Sequence, residues 1–135
     1  MPTGTYFEDL RIGQTASLGK TITDADILLF AAVSLDTNPV HLNDEAARKS
    51  VFGERIAHGM LSAGLISAVL GTQLPGPGTL YMRQSLRFAA PVKIGATVIA
   101  TVEVTALIRP ADSNPCAMRS PNSDSFAASA STWIG

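Results

Sequence analysis

Cysteine is all but missing from this chain: Cys116 stands alone among 135 residues. A single thiol builds neither a disulfide framework nor a thiolate metal site. Histidine is nearly as scarce, so imidazole chemistry is confined to His41 and His58. Charge of either sign is thin, with ten Lys and Arg against eleven Asp and Glu, a formal net charge of -1, and no basic cluster. That excludes a nucleic-acid partner, whose phosphates call for a concentrated positive face. Long hydrophobic runs are also lacking. The longest, residues 60–74, is interrupted by Ser62, Ser67, Thr72 and Gln73, and it falls short of the roughly 20 residues a membrane-spanning helix needs. Residues 1–14 carry no basic lead and no apolar stretch, so they do not read as a secretory signal. The expectation is a cytoplasmic protein with no membrane partner, of a length that suits one folded core.

What is present begins with Asp36-Thr37-Asn38-Pro39-Val40-His41. A continuous helix turns about 100° per residue, which would point the Asp36 and His41 side chains apart. Pro39 disfavours helix at Asn38 and lacks an N–H of its own. The chain must turn here, and a turn can fold His41 back towards Asp36, giving a candidate acid/base pair.

Around this turn the pattern reads as a strand, then helices, then strands. Residues 15–21 form a short strand. Thr23 followed by Asp26 is a helix N-cap with an acidic third residue, leading into the apolar run 27–33. Asn43 can cap a second short helix over residues 44–50, punctuated by Gly53. From His58, residues 59–70 are apolar or small on every side, which predicts a helix surrounded by protein. After the Pro75-Gly76-Pro77-Gly78 turn the period falls to two. Leu80, Met82, Leu86 and Phe88 alternate with Tyr81, Arg83, Ser85 and Arg87. Residues 91–95 turn the chain again, and Val98, Ala100, Val102, Val104, Ala106 and Ile108 alternate with Thr101, Glu103 and Thr105. Both runs are expected to be half-exposed antiparallel strands. An α+β domain follows, with a curved sheet around one buried helix.

Three separated motifs carry a family resemblance: Asp36-x-Asn38-Pro39-x-His41, His58-Gly59-Met60, and Arg83-Gln84-Ser85-Leu86-Arg87-Phe88-x-x-Pro91-Val92. Together, over residues 6–108, they resemble the MaoC-like, (R)-specific enoyl-CoA hydratases. The resemblance implies a hot-dog fold, a homodimer with paired sheets, and hydration of trans-2-enoyl-CoA to (R)-3-hydroxyacyl-CoA for fatty-acid or polyhydroxyalkanoate metabolism. Coenzyme A enters as part of an acyl-CoA thioester substrate, and no separate cofactor or metal is implied.

The resemblance makes Asp36 and His41 the catalytic pair, holding one water between them, with Asp36 as the base and His41 orienting the water and shuttling the proton. Gly59, opening the apolar helix, would offer a free N–H to the thioester oxygen. Ser67 matches a position lining the acyl site, or is a helix serine bonded back to its own backbone. Asn38 holds the turn. His58 reads as a structural histidine that caps the helix or contacts backbone. The spacing of Asp36, His41 and His58 matches no standard ligand set. Arg83 and Arg87 read as a solvated strand face, with a role against coenzyme A phosphates as the alternative. Two other activities share these features: an acyl-CoA thioesterase on the same fold, and a non-catalytic thioester-binding subunit.

The C-terminus departs from the family. Residues 1–109 read as the hot-dog domain, whereas 110–135 replace two expected strands with a stretch containing Pro110, Pro115 and Pro121 among Ser, Asn and Asp. Proline removes ladder donors and these residues favour turns. Only residues 126–134 could form a strand, so the hot dog is expected to be incomplete with a poorly packed tail. Two explanations stand: a divergent tail, or a change of reading frame near Pro110, which the coding DNA would reveal as two alternating apolar strands in the shifted frame.

Overall fold

A computed structural model describes residues 4–107 with their side chains, together with the backbone of residues 126–134. The elements run β1 (Thr15–Thr21), α1 (Asp24–Ser34), α2 (Pro39–Leu42), α3 (Asp44–Arg48), α4 (Gly59–Thr72), β2 (Thr97–Leu107) and β3 (Phe126–Ile134). The three strands form one sheet in the order β1-β2-β3. β1 lies antiparallel to β2, with Ser17 hydroxyl-bonded to Thr101 at 2.8 Å and Thr21 to Thr97 at 2.8 Å. Val98, Ala100, Val102 and Val104 are each fully buried, the face that the period-two pattern marks as apolar.

Local chemistry explains the helix starts. Thr23 and Asp26 close a reciprocal capping box on α1. The Asp26 carboxylate accepts the Thr23 N–H at 2.8 Å and lies 3.0 Å from Lys20 Nζ. The Thr23 backbone N–H, then the Thr23 hydroxyl and Lys20, hold the Asp26 carboxyl down at about 2. The Asn43 side chain accepts the Ala46 N–H at 2.9 Å and caps α3. Pro39 starts a helix as well as breaking one. It stands at the first turn of α2, where its missing N–H costs nothing.

The described residues fall into two compact units. One holds residues 4–18, 65–85 and 100–107 with most of β3. There Leu10, Leu74 and Val104 form a buried cluster flanked by Ala16 and Leu107, and the Gly4 and Thr5 N–H groups bond to Pro77 O and Pro75 O at 3.1 and 2.7 Å. The other holds residues 19–64 and 86–99, with Ile22, Ile27, Ala31, Ala47, Ile56 and Ala57 buried. In this second unit Ile56 pairs with Lys93 in an antiparallel bridge, and Ala57 N–H bonds to Val92 O at 2.8 Å.

Two expectations need correction. Residues 80–88 belong to no strand, and all but Thr79 and Leu86 of residues 79–90 are exposed. Alternation marks a segment that can pair, but a strand exists only where a neighbour takes up its N–H and C=O groups, and no described residue does so here. Helix α4 is apolar all round, yet Met60, Gly64, Ser67 and Gly71 are exposed along one stripe. The expected end of β2 at Ile108 and the turn-rich stretch 110–125 lie outside the described residues. The tail contributes one described strand, β3, at the edge of the sheet beside β2. Among the described residues no helix is long and apolar enough to cross a membrane.

Candidate active site

The site is assembled in the second unit where α1 gives way to α2. Leu35 closes α1 in the left-handed region at φ 61°, its N–H bonded to Ala31 O, and this bends the chain sharply at Asp36. The Asp36 N–H then bonds to Ser34 Oγ at 3.2 Å, and its carboxylate accepts the Asn38 N–H at 3.3 Å. The Asn38 side chain accepts the Val40 N–H at 3.2 Å, and Asn38 O accepts the His41 N–H at 3.0 Å. Asn38 therefore shapes the turn through both its amide side chain and its carbonyl.

His41 is buried and Asp36 exposed. One donor atom from each of Asp36, His41 and His58 lies within 4.8 Å of the other two. His41 Nδ1 lies 2.8 Å from Ile56 O. A carbonyl only accepts, so Nδ1 carries the proton and Nε2 of neutral His41 presents a lone pair. His58 has the opposite arrangement, with Nε2 donating to Asp36 O at 2.9 Å and its buried Nδ1 without a partner among the described residues. The two imidazoles stack with centroids 3.9 Å apart and planes at 34°. Phe30 lies against the His58 ring at 4.9 Å.

Three such residues could hold a cation, but the stacking does not suit one. Two imidazoles bound tetrahedrally at about 2.0–2.1 Å stand with ring centroids roughly 5 Å apart. The 3.9 Å separation places them closer than that.

Sequence reasoning missed Arg55. Its Nε donates to His41 O at 2.7 Å, and its guanidinium pairs with the Asp24 carboxylate. With the Ile56 carbonyl and His58, it makes residues 55–58 a brace that holds the backbone of Asp36 and both ends of His41. The available signal was a lone guanidinium beside the apolar Ile56-Ala57 pair. Phe30 was read only as part of an apolar helix.

Gly59 opens α4, and its N–H has no acceptor among the described residues, as expected for the first residue of a helix. The Phe88 ring occupies the space a side chain would need: a Cβ on Gly59 would lie 2.9 Å from Phe88 Cε1. Ser67 is exposed and stands in the other unit. The buried serine of α4 is Ser62, whose Oγ has no partner among the described residues.

The MaoC-like domain model matches residues 10–120. The chain is 65% identical over 103 residues to an (R)-specific enoyl-CoA hydratase of Rhodospirillum rubrum, covering 76% of this chain and 72% of that protein. It is 54% identical over 103 residues to a 3-hydroxybutyryl-CoA dehydratase of Methylorubrum extorquens, covering 76% of this chain and 66% of that protein. Among solved structures, an (R)-hydratase of Aeromonas caviae involved in PHA biosynthesis superposes with a TM-score of 0.79 at 39% identity, covering 94% of this chain and 87% of that one. The antiparallel sheet and helix are those of the hot-dog fold, and the chain belongs to the MaoC-like domain family.

Proposed function

We propose that the protein is a hydro-lyase that adds water to trans-2-enoyl-CoA and yields (R)-3-hydroxyacyl-CoA. The observation that carries this reading is the approach of Asp36 and His41, with a polar atom of each within 4.8 Å of the other, in a chain 65% identical to an (R)-specific enoyl-CoA hydratase. The Asp36 carboxylate and, with Nδ1–H spent on Ile56 O, the other ring nitrogen of His41 can both act as hydrogen-bond acceptors. A water held by both would direct a lone pair at Cβ of the substrate. As its oxygen bonds to Cβ, the double-bond electrons move through Cα to the thioester oxygen. The Gly59 N–H can stabilise the enolate charge there. Asp36 takes the water's proton, His41 orients the water and relays a proton, and Cα receives one on the same face, completing a syn addition.

Asn38 supports this pair from the turn, and we assign Ser67 to the acyl side of α4 on the family resemblance. The chemistry needs no cofactor beyond the thioester's own coenzyme A. We propose a cytoplasmic homodimer supplying hydroxyacyl thioesters to fatty-acid or polyhydroxyalkanoate metabolism, the last of these supported by the A. caviae relative involved in PHA biosynthesis. We read residues 110–135 as an atypical segment standing in place of the family's last strands.

The test is loss of crotonyl-CoA absorbance. Asp36→Asn and His41→Gln should each lower turnover by about 10²–10⁴-fold with the fold intact. Near-wild-type hydration by either variant would reject the pair. Release of free thiol from a saturated acyl-CoA would identify a thioesterase.

A further inference from the structure

We propose that His58 is a positioning residue that sets Asp36 and His41 relative to one another without touching substrate. The inference rests on the hydratase reading above. His58 is 1% exposed, too buried to meet a ligand directly. Its Nε2–H donates to the Asp36 carbonyl at 2.9 Å. This is the bond the described residues give that carbonyl, at a point where the chain has left α1 and has no ladder to join. It fixes the peptide plane following Asp36 and, with the N–H bonded to Ser34 Oγ, the direction of the carboxylate. The other face of His58 lies on the His41 ring at 3.9 Å. His41 is thereby held by a bond at Nδ1 and a plate along its face, which limits how its free Nε2 can swing. One buried side chain thus touches both members of the pair from behind.

Stability gives a divided account of an imidazole at this position. Its Nε2–H satisfies the Asp36 carbonyl, while its buried Nδ1 has no partner among the described residues, and an unsatisfied buried acceptor is destabilising. Phenylalanine would fill the same space against Phe30 and His41 and remove the Nδ1 orphan, but it would leave the Asp36 carbonyl without this bond. What the imidazole adds is the Nε2–H, and the group that receives it is Asp36. Since small misplacements of reacting groups are costly, the bond should register in turnover more than in stability.

The experiment compares His58→Phe, His58→Gln and His58→Asn with Asp36→Asn and wild type in crotonyl-CoA hydration and thermal unfolding. Phe keeps the plate and loses the donor. Gln places an amide N–H near the Nε2 position, while Asn places it near Nδ1. The expected result is a fall in kcat of about 10–100-fold for Phe with KM within about twofold and only the small drop in Tm that one lost hydrogen bond gives. Gln should recover to within about fivefold of wild type, and Asn should not. Wild-type kcat in the Phe variant, or an equal loss in Phe and Gln that tracks a falling Tm, would overturn the proposal. If the Phe variant does not fold, the Gln and Asn comparison decides by the same rule. Full activity in Asp36→Asn would sink the hydratase reading separately. The substrate-free ¹⁵N spectrum of wild type is then the judge. A protonated Nε2 with a bare Nδ1 on His58 supports the positioning bond, and the reverse tautomer removes it.

Discussion

At the scale of single residues, the site depends on which atoms of each side chain are already committed. His41 spends Nδ1 on Ile56 O and presents Nε2. That assignment was not legible in the sequence, because the acceptor comes from a backbone carbonyl fifteen residues away. The turn that brings Asp36 and His41 near one another was legible, since Asn38 and Pro39 enforce it by local sterics and short-range bonds. Arg55 was not, because its two partners, Asp24 and the His41 carbonyl, are brought together only by the fold. Gly59 was legible as a helix start, but the reason no other residue fits came from the tertiary structure. Its missing Cβ leaves room for Phe88, which a side chain would approach to 2.9 Å. We therefore predict that Gly59→Ala forces the exposed Phe88 ring outward and crowds the thioester oxygen. Hydration of crotonyl-CoA should fall by about 10–100-fold, the range for disturbing one oxyanion donor or its approach. The double variant Gly59→Ala with Phe88→Leu should regain part of that loss in kcat. If the double variant is no better than the single one, the Phe88 contact is not what Gly59 protects.

Elements were readable from the sequence wherever their boundaries are written in side chains. β1 spans Thr15–Thr21 as read from the sequence, and α1 carries the box that Thr23 and Asp26 announced. The segment 80–88 shows the opposite case. Its alternation was plain, but pairing depends on another stretch of chain, and none among the described residues supplies it. The α1 cap carries a pH signature. Asp26 is lowered from 3.8 to about 2, first by the Thr23 backbone N–H and then by the Thr23 hydroxyl and Lys20. A depressed carboxylate contributes stability that is present above its unfolded value and lost as pH falls through its folded one. For Asp26 that window runs from about 4 down to about 2. Asp26→Asn should therefore unfold at a lower temperature than wild type above the window, and the two melting curves should converge as pH approaches its lower end. A gap in Tm that stays constant across the window would show that ionisation of Asp26 does not support the cap.

For the molecule as a whole, the question is what meets the surfaces this chain leaves open. β1 and β3 stand at the two ends of the strand order, so each has one side unpaired within the described sheet. An unpaired strand edge is a template for another chain, and proteins cover or disfavour such edges. α4 is apolar throughout, yet Met60, Gly64, Ser67 and Gly71 remain exposed along one line. In the second unit α1 exposes Leu28, Leu29 and Val33, with exposed Leu35 at its C-cap. Exposed large apolar side chains on a helix are candidate contacts for another chain. The sequence suggested a helix enclosed on all sides, and composition alone could not say whether the enclosure comes from its own chain or another. A symmetric homodimer is the expected answer, because a twofold interface lets one patch cover its own copy. Sedimentation equilibrium should return twice the chain mass at micromolar concentration, and dilution should lower specific activity as dimer is lost. A charge placed on the open face, as in Val33→Asp, should weaken association while leaving the secondary structure measured by circular dichroism unchanged. A monomer that keeps full specific activity across the dilution series would show that the open surfaces need no second copy.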